Sequence, residues 1–163
     1  MLKQFYILLA LFLLPISASP AAQLTGQVTW IYDGDTLKVE NVGKVRLIGI
    51  DTPESKASPR DRFYTQKFPI SKKKLRDIAS QAKQYNIRNI KGKQVRLELD
   101  QTHRDKYDRL LAYVYLPDGK MLNRILLNKG LAIVFRRYDF QYKRDFLKIE
   151  KKARKNKRGL WKP

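Results

Sequence analysis

Apolar and polar residues alternate over 26–32 (GQVTWIY), over 37–40, and over 44–50, where Val45 and Leu47 bracket Arg46. A period of two marks half-buried strands, because successive side chains of extended backbone point to opposite faces. In the first run Val28 and Trp30 are expected on one face, with Thr29 and Ile31 on the other. Asp33-Gly34-Asp35-Thr36 separates the first two runs and Asn41-Val42-Gly43 the next two. Both read as turns, so 26–50 predicts a three-stranded meander. The segment 52–71 has no period and contains Pro53, Pro59 and Pro69, which predicts a surface loop free to act as a flap.

From Lys72 the spacing lengthens to that of a helix, with Leu75, Ile78, Ala79, Ala82 and Tyr85 on one face and an end near Gly92. Lys72, Lys73 and Lys74 stand at the positive end of its dipole, which is either tolerated on a solvated end or selected by a nearby anion. Val95, Leu97 and Leu99 alternate with Arg96 and Glu98, and LLAYVYL over 110–116 precedes the turn Pro117-Asp118-Gly119; these are strands four and five. A short helix over 122–129 stops at Gly130, LAIVF comes next, and a last amphipathic helix begins near 139 and carries Tyr142, Phe146, Ile149 and Ala153 toward Gly159. Three strands, a helix, two strands and then helices is the succession of a five-stranded Greek-key barrel of the OB type, an α+β fold that is mainly β barrel with about three helices.

At 163 residues the chain suits one domain, and 35 Lys and Arg against 15 Asp and Glu give a formal charge of +20. That excess points to a polyanion, either nucleic acid or an anionic membrane. Lys3, the apolar run 5–14, Pro15 and small residues have the layout of a secretory signal peptide, with cleavage expected after Ala21. The run falls short of the ~20 apolar residues of a membrane span, so a retained anchor is the weaker alternative. The expected division is a signal peptide over 1–21 and a single domain over 22–163, secreted or periplasmic. With no cysteine in the chain, disulfides, thiolate zinc sites and thiol nucleophiles are excluded.

Candidate chemistry concentrates at strand ends and loops: Asp33-Gly34-Asp35-Thr36, Arg46, IDTPE over 50–54 and RDKYDR over 104–109. Each carboxylate turn alone is an ordinary hairpin signal. Together, Asp35 and Asp51 can supply two hard oxygen ligands and the Thr52 carbonyl a third, a set that suits calcium better than zinc. Strict alternation places Arg46 and Asp51 on opposite faces, five residues apart, unless Gly49 forms a bulge or kink that re-aims the chain beyond it. Arg46 and Arg109 can bind the nonbridging oxygens of a phosphodiester through paired donors, leaving Glu54 to orient or deprotonate a water. Asp105 and Asp108 could instead tie Arg109 into a surface network. His103 is the only histidine, and in its basic loop it is expected to be solvated, without a catalytic role.

The segments DGDT, VRLIGIDTPE, DKYDRLLAYVY and DGKMLNRILLNKGLA resemble, in order, the signatures of the thermonuclease, or staphylococcal nuclease-like, family across 27–161. The resemblance implies an OB barrel with helices and calcium-dependent endonucleolytic cleavage of DNA and RNA that leaves 3′-phosphates. By position Asp35, Asp51 and Thr52 match the metal site, Arg46 and Arg109 the phosphate-binding arginines, and Glu54 the base. Lys106, Tyr107 and Tyr138 match nucleotide-contacting residues, while Arg136 stands where the family often has a stacking tyrosine; its planar face could still stack on a base. Sequence-tolerant DNA and RNA are the expected partners, no stable protein partner is expected, and the chain is expected to be a monomer. A catalytically weak nucleic-acid-binding module on the same barrel is the alternative, and a cationic membrane-active protein a third.

Overall fold

The computed structural model describes residues 24–163, and the expected leader lies outside them. Strands β1 (Leu24–Ile31), β2 (Thr36–Val39), β3 (Gly43–Leu47), β5 (Gln94–Arg104) and β6 (Leu110–Tyr115) close a barrel in the order β1-β2-β3-β6-β5. All neighbours are antiparallel except β3 and β6, whose parallel pairing (Val45 with Leu110, Leu47 with Ala112) closes the circuit. β4 (Ile50–Asp51) leaves the barrel and pairs with β7 (Ile133–Val134) in a separate two-stranded sheet. The expected OB-type α+β fold is the observed one.

Val28, Leu37, Val39, Val45 and Ala112 fill the barrel interior, each fully buried. Trp30 does not join Val28 there as alternation predicts. The register against β2 shifts between Val28 and Trp30, and the extra residue turns Trp30 outward, 52% exposed, while Ile31 goes inward.

The segment 52–71 is also not the loop its prolines predict. It contains helix α1 (Arg60–Lys67), whose buried residues are Asp61 and Tyr64. Neither writes an apolar stripe, so hydrophobic periodicity cannot find this helix. Phe68 and Ile70 then enter the core, and Asp61 is ion-paired with Arg76 of the next helix.

Helix α2 (Lys72–Asn89) begins at Ser71, whose hydroxyl accepts the Lys74 N–H (3.2 Å). It buries Leu75, Ile78, Ala79 and Ala82 as expected, and adds Asn86, a polar residue its apolar pattern does not mark. Helices α3 (Leu122–Asn128) and α4 (Lys143–Lys155) pack beside the barrel through Leu122, Leu126 and Phe146. α4 starts later than the pattern suggests, with Tyr142 half-buried at its N-cap. No helix among the described residues is long and apolar enough to cross a membrane.

Candidate active site

The turn between β1 and β2 holds Asp35 by local bonds. The Asp33 Oδ1 accepts the Asp35 N–H (2.9 Å), and the Tyr32 N–H donates to the Thr36 carbonyl (3.0 Å). Gly34 is required by close approach: a Cβ there would lie 2.8 Å from the Ala82 side chain of α2 and from the Thr52 side chain. The buried Asn86 amide donates to the Gly34 carbonyl (2.9 Å), locking the turn onto α2. Burial, with the charge of Asp35 adding to it, pushes the Asp33 carboxyl up to about 6.

Asp51 arrives by a different route. β3 ends at Leu47, and Gly49 adopts φ +76°, a left-handed turn that redirects the chain into β4. This kink removes the alternation conflict. Arg46 and Asp51 meet, with Nη2 3.3 Å from Asp51 Oδ1, while Nη1 lies 2.7 Å from Asp35 Oδ1. One guanidinium therefore spans both carboxylates. Burial works against the Arg46 charge, but Asp35, Asp51 and Asp33 outweigh it and raise its pKa.

The outer oxygens are held as firmly. Asp35 Oδ2 accepts the Thr52 N–H (2.7 Å) and the Thr52 hydroxyl (2.9 Å). Asp51 Oδ2 accepts the Tyr64 hydroxyl (2.7 Å) and Arg60 Nη2 (2.9 Å). Arg60 and Tyr64 belong to the helix that the sequence hides, and they are the members of the site missed there; their spacing of four, which puts two polar side chains on one helical face, was the available signal. Burial first, then the charge of Asp51, holds the Tyr64 hydroxyl well above its ordinary range. Tyr64→Phe removes this donor from a buried carboxylate, and should lower stability by about 1–3 kcal/mol in a urea titration. An unchanged midpoint would show that the bond contributes nothing.

Arg109 approaches from the turn after β5. Its Nε and Nη2 grip Asp105 Oδ2 (2.8 and 2.7 Å), and its Nη1 donates to the Thr36 hydroxyl (3.3 Å), which in turn donates to Asp35 Oδ1 (3.2 Å). The Asp105 network and the contact with the site thus coexist. Glu54 is exposed at the rim, after the buried Pro53. Partial desolvation, with Asp35 and Asp51 adding to it, raises its carboxyl pKa against the pull of Arg46 and Arg60. An open cleft of about 460 Å³ runs from Glu54 to Arg60.

The four remaining candidates divide. Tyr107 is 67% exposed, with the Lys106 Nζ 4.9 Å and the Arg109 Cζ 5.5 Å from its ring centroid, so an exposed ring lies beside two cations. Tyr138 is 62% exposed beside Phe135. Arg136 is turned elsewhere: its guanidinium is ion-paired with Glu150 and donates to the Val134 carbonyl (3.0 Å). Glu150 is buried, so the pair ties Arg136 to α4, while the Arg136 side chain itself stays 32% exposed.

Among the described residues no three His, Cys, Asp or Glu side chains converge on one point. A cation here would rest on Asp35, Asp51 and the Thr52 carbonyl, completed by solvent or phosphate. That all-oxygen set fits a hard divalent ion. The guanidinium between the two Oδ1 atoms shows that both carboxylates already face one positive centre.

A barrel whose rim carries paired carboxylates and converging arginines defines a class of phosphate-handling site. The family model described as staphylococcal nuclease homologue matches residues 44–163, and the chain belongs to that family. An uncharacterized protein of Methanocaldococcus jannaschii is 35% identical over 147 residues, covering 83% of this chain and 70% of its own. The thermonuclease of Staphylococcus hyicus is 36% identical over 148 residues (88% and 79%), and an uncharacterized endonuclease of Escherichia coli 34% over 143 (86% and 78%).

Proposed function

We propose that the protein is a secreted or periplasmic, calcium-dependent endonuclease that hydrolyses DNA and RNA with little regard to sequence and leaves 3′-phosphate ends. The observation that carries this reading is the single Arg46 guanidinium bridging Asp35 and Asp51, with Arg109 one hydroxyl away through Thr36. The names of the staphylococcal thermonuclease and the Escherichia coli endonuclease support it. So does the chain's charge of +20, and the leader-like segment 1–21 supports export.

In this reading a phosphodiester enters over the Arg46–Arg109 side of the rim, and the two guanidiniums neutralise its nonbridging oxygens as negative charge builds in attack. Glu54 takes a proton from a water, whose oxygen bonds to phosphorus. The bond from phosphorus to the 5′ oxygen breaks, that oxygen is protonated from solvent, and the phosphate stays on the 3′ side. Calcium held by Asp35, Asp51 and the Thr52 carbonyl would add fixed positive charge beside the scissile phosphate. Tyr107 and Tyr138 offer exposed rings on which bases can stack, and Lys106 adds a phosphate contact.

Purified protein should digest DNA with calcium and stop on chelation, leaving ends that lose phosphate to a 3′-phosphatase. Cutting that persists through chelation removes calcium from the proposal. Glu54→Gln should lower kcat by about 10²–10⁴-fold with an unchanged melting temperature; wild-type turnover would mean that the exposed carboxylate is not the base.

A further inference from the structure

A groove of about 980 Å³ lies between α2, α3 and the residues after α4, and it shares no lining residue with the carboxylate site. Helix α2 separates the two. Ala82 and Asn86 face the turn that carries Asp35, whereas Lys74, Gln81, Gln84 and Arg88, spaced three to seven apart, form a different stripe that lines the groove.

Six cations line it: Lys74, Arg88, Lys129, Lys157, Arg158 and Lys162. Asp77 is the acidic side chain among them. Among the described residues none of the six is ion-paired to a side chain, in contrast to Arg46, Arg60 and Arg109. Their hydrogen bonds go to amide side chains and main-chain oxygens, the Pro163 oxygen (3.4 Å from Lys74 Nζ) among them. Arg158 donates to the Asn128 side-chain oxygen (2.6 Å), Lys74 to the Lys162 carbonyl, and Lys129 lies over the Tyr85 ring (5.0 Å). With six cations beside the single acidic side chain of Asp77 in the lining, most of their positive charge is left uncompensated. Lys157 is held at φ +50° after α4, where the Arg158 N–H closes back on the Ala153 carbonyl (3.0 Å), at a position glycine ordinarily fills. Gln81, Gln84, Asn89 and Asn156 add neutral hydrogen-bonding groups.

We propose that this groove is a second binding site for the sugar-phosphate backbone of nucleic acid, apart from the cleavage site. Open shape, unpaired cations and amide side chains suit an extended polyanion, and leave no enclosed apolar wall for a small hydrophobic ligand. The choice of nucleic acid over other polyanions rests on the nuclease reading. The groove holds long substrates on the protein while short ones reach only the carboxylate rim.

The test compares the full chain with two variants, Arg88→Glu/Lys129→Glu/Lys157→Glu and the same positions changed to Gln, all at exposed residues. Binding of a duplex of about 30 base pairs is followed by fluorescence anisotropy in chelator over a range of salt. Both variants should bind at least about tenfold more weakly near 0.15 M salt, and the slope of log K against log salt should shrink by about 2–3. In calcium, KM for long DNA should rise while dinucleotide cleavage stays at the wild-type level. Unchanged duplex affinity and slope at an unchanged melting temperature would overturn the proposal. So would an effect confined to the Glu variant, an equal loss on dinucleotides, or a loss of binding to phosphatidylserine vesicles without a loss on DNA. A protein that cleaves nothing, yet loses duplex affinity in both variants, would refute the nuclease reading and leave the groove standing.

Discussion

Arg46→Ala is expected to reduce kcat on DNA at least about 10³-fold and to destabilise the calcium-free protein by about 3–5 kcal/mol. The two losses have one cause. Arg46 lies between Asp35 and Asp51, whose side chains are 8% and 9% exposed, and without it Asp35 loses its ion pair and Asp51 keeps Arg60 alone. Calcium should therefore raise the melting temperature of the variant more than that of the wild type, because the ion replaces the lost charge. Arg46→Lys should recover part of the stability and little of the turnover, since a compact ammonium cannot span both Oδ1 atoms as the planar guanidinium does. Urea titrations with and without calcium, beside a fluorescent DNA digest, measure both effects. A variant as stable as wild type in chelator would mean that the bridge carries no weight.

Gly49→Ala should cost at least about 3 kcal/mol and weaken cleavage at least about tenfold. Two penalties combine: the left-handed φ of +76° is unfavourable for any residue with a Cβ, and that Cβ would stand 2.5 Å from the Phe140 ring. Phe140 packs on Phe146, whose side chain is fully buried, so the ring has little room to yield. Shifting residue 49 also moves β4, and Asp51 with it. Gly119→Ala is the control, because it has φ +77° with open space around it and should lose only the backbone penalty, about 1–2 kcal/mol. Equal losses for the two variants would show that the Phe140 contact is soft.

Much of the barrel is legible in the chain because its strands have one wet and one dry face. Val45 and Leu47 around Arg46 mark β3 without help, as Leu75, Ile78, Ala79 and Ala82 mark α2. The pattern misleads at Trp30, where one inserted residue reverses the faces, and at 52–71, where α1 buries Asp61 and Tyr64. A bulge leaves no trace in hydropathy, and a helix anchored by polar side chains writes no apolar stripe.

The site shows the same division. Its acidic residues and arginines can be picked out by type and by their places at strand ends, and Asp35, Arg46, Asp51 and Arg109 do converge. Arg60 and Tyr64 could not be assigned to Asp51, because that contact exists only once α1 is folded across the rim. Arg136 has the right chemistry for stacking but is held by the buried Glu150, a partner fourteen residues away that only the docking of α4 supplies.

By itself the sequence determined which segments could be strands or helices, the excess of positive charge, and the residue types available for phosphate chemistry. These depend on local preferences, set by the near neighbours of each residue along the chain. Tertiary structure decided which of those residues share an ion pair or a hydrogen bond, which arginines face outward, and that α2 has an acidic site on one side and a mostly cationic groove on another. Such facts depend on side chains brought within about 3–4 Å of one another from distant parts of the chain, where burial and Coulomb energy become strong. Asp35 and Asp51 are sixteen residues apart in the chain, and a single glycine kink lets them face one guanidinium.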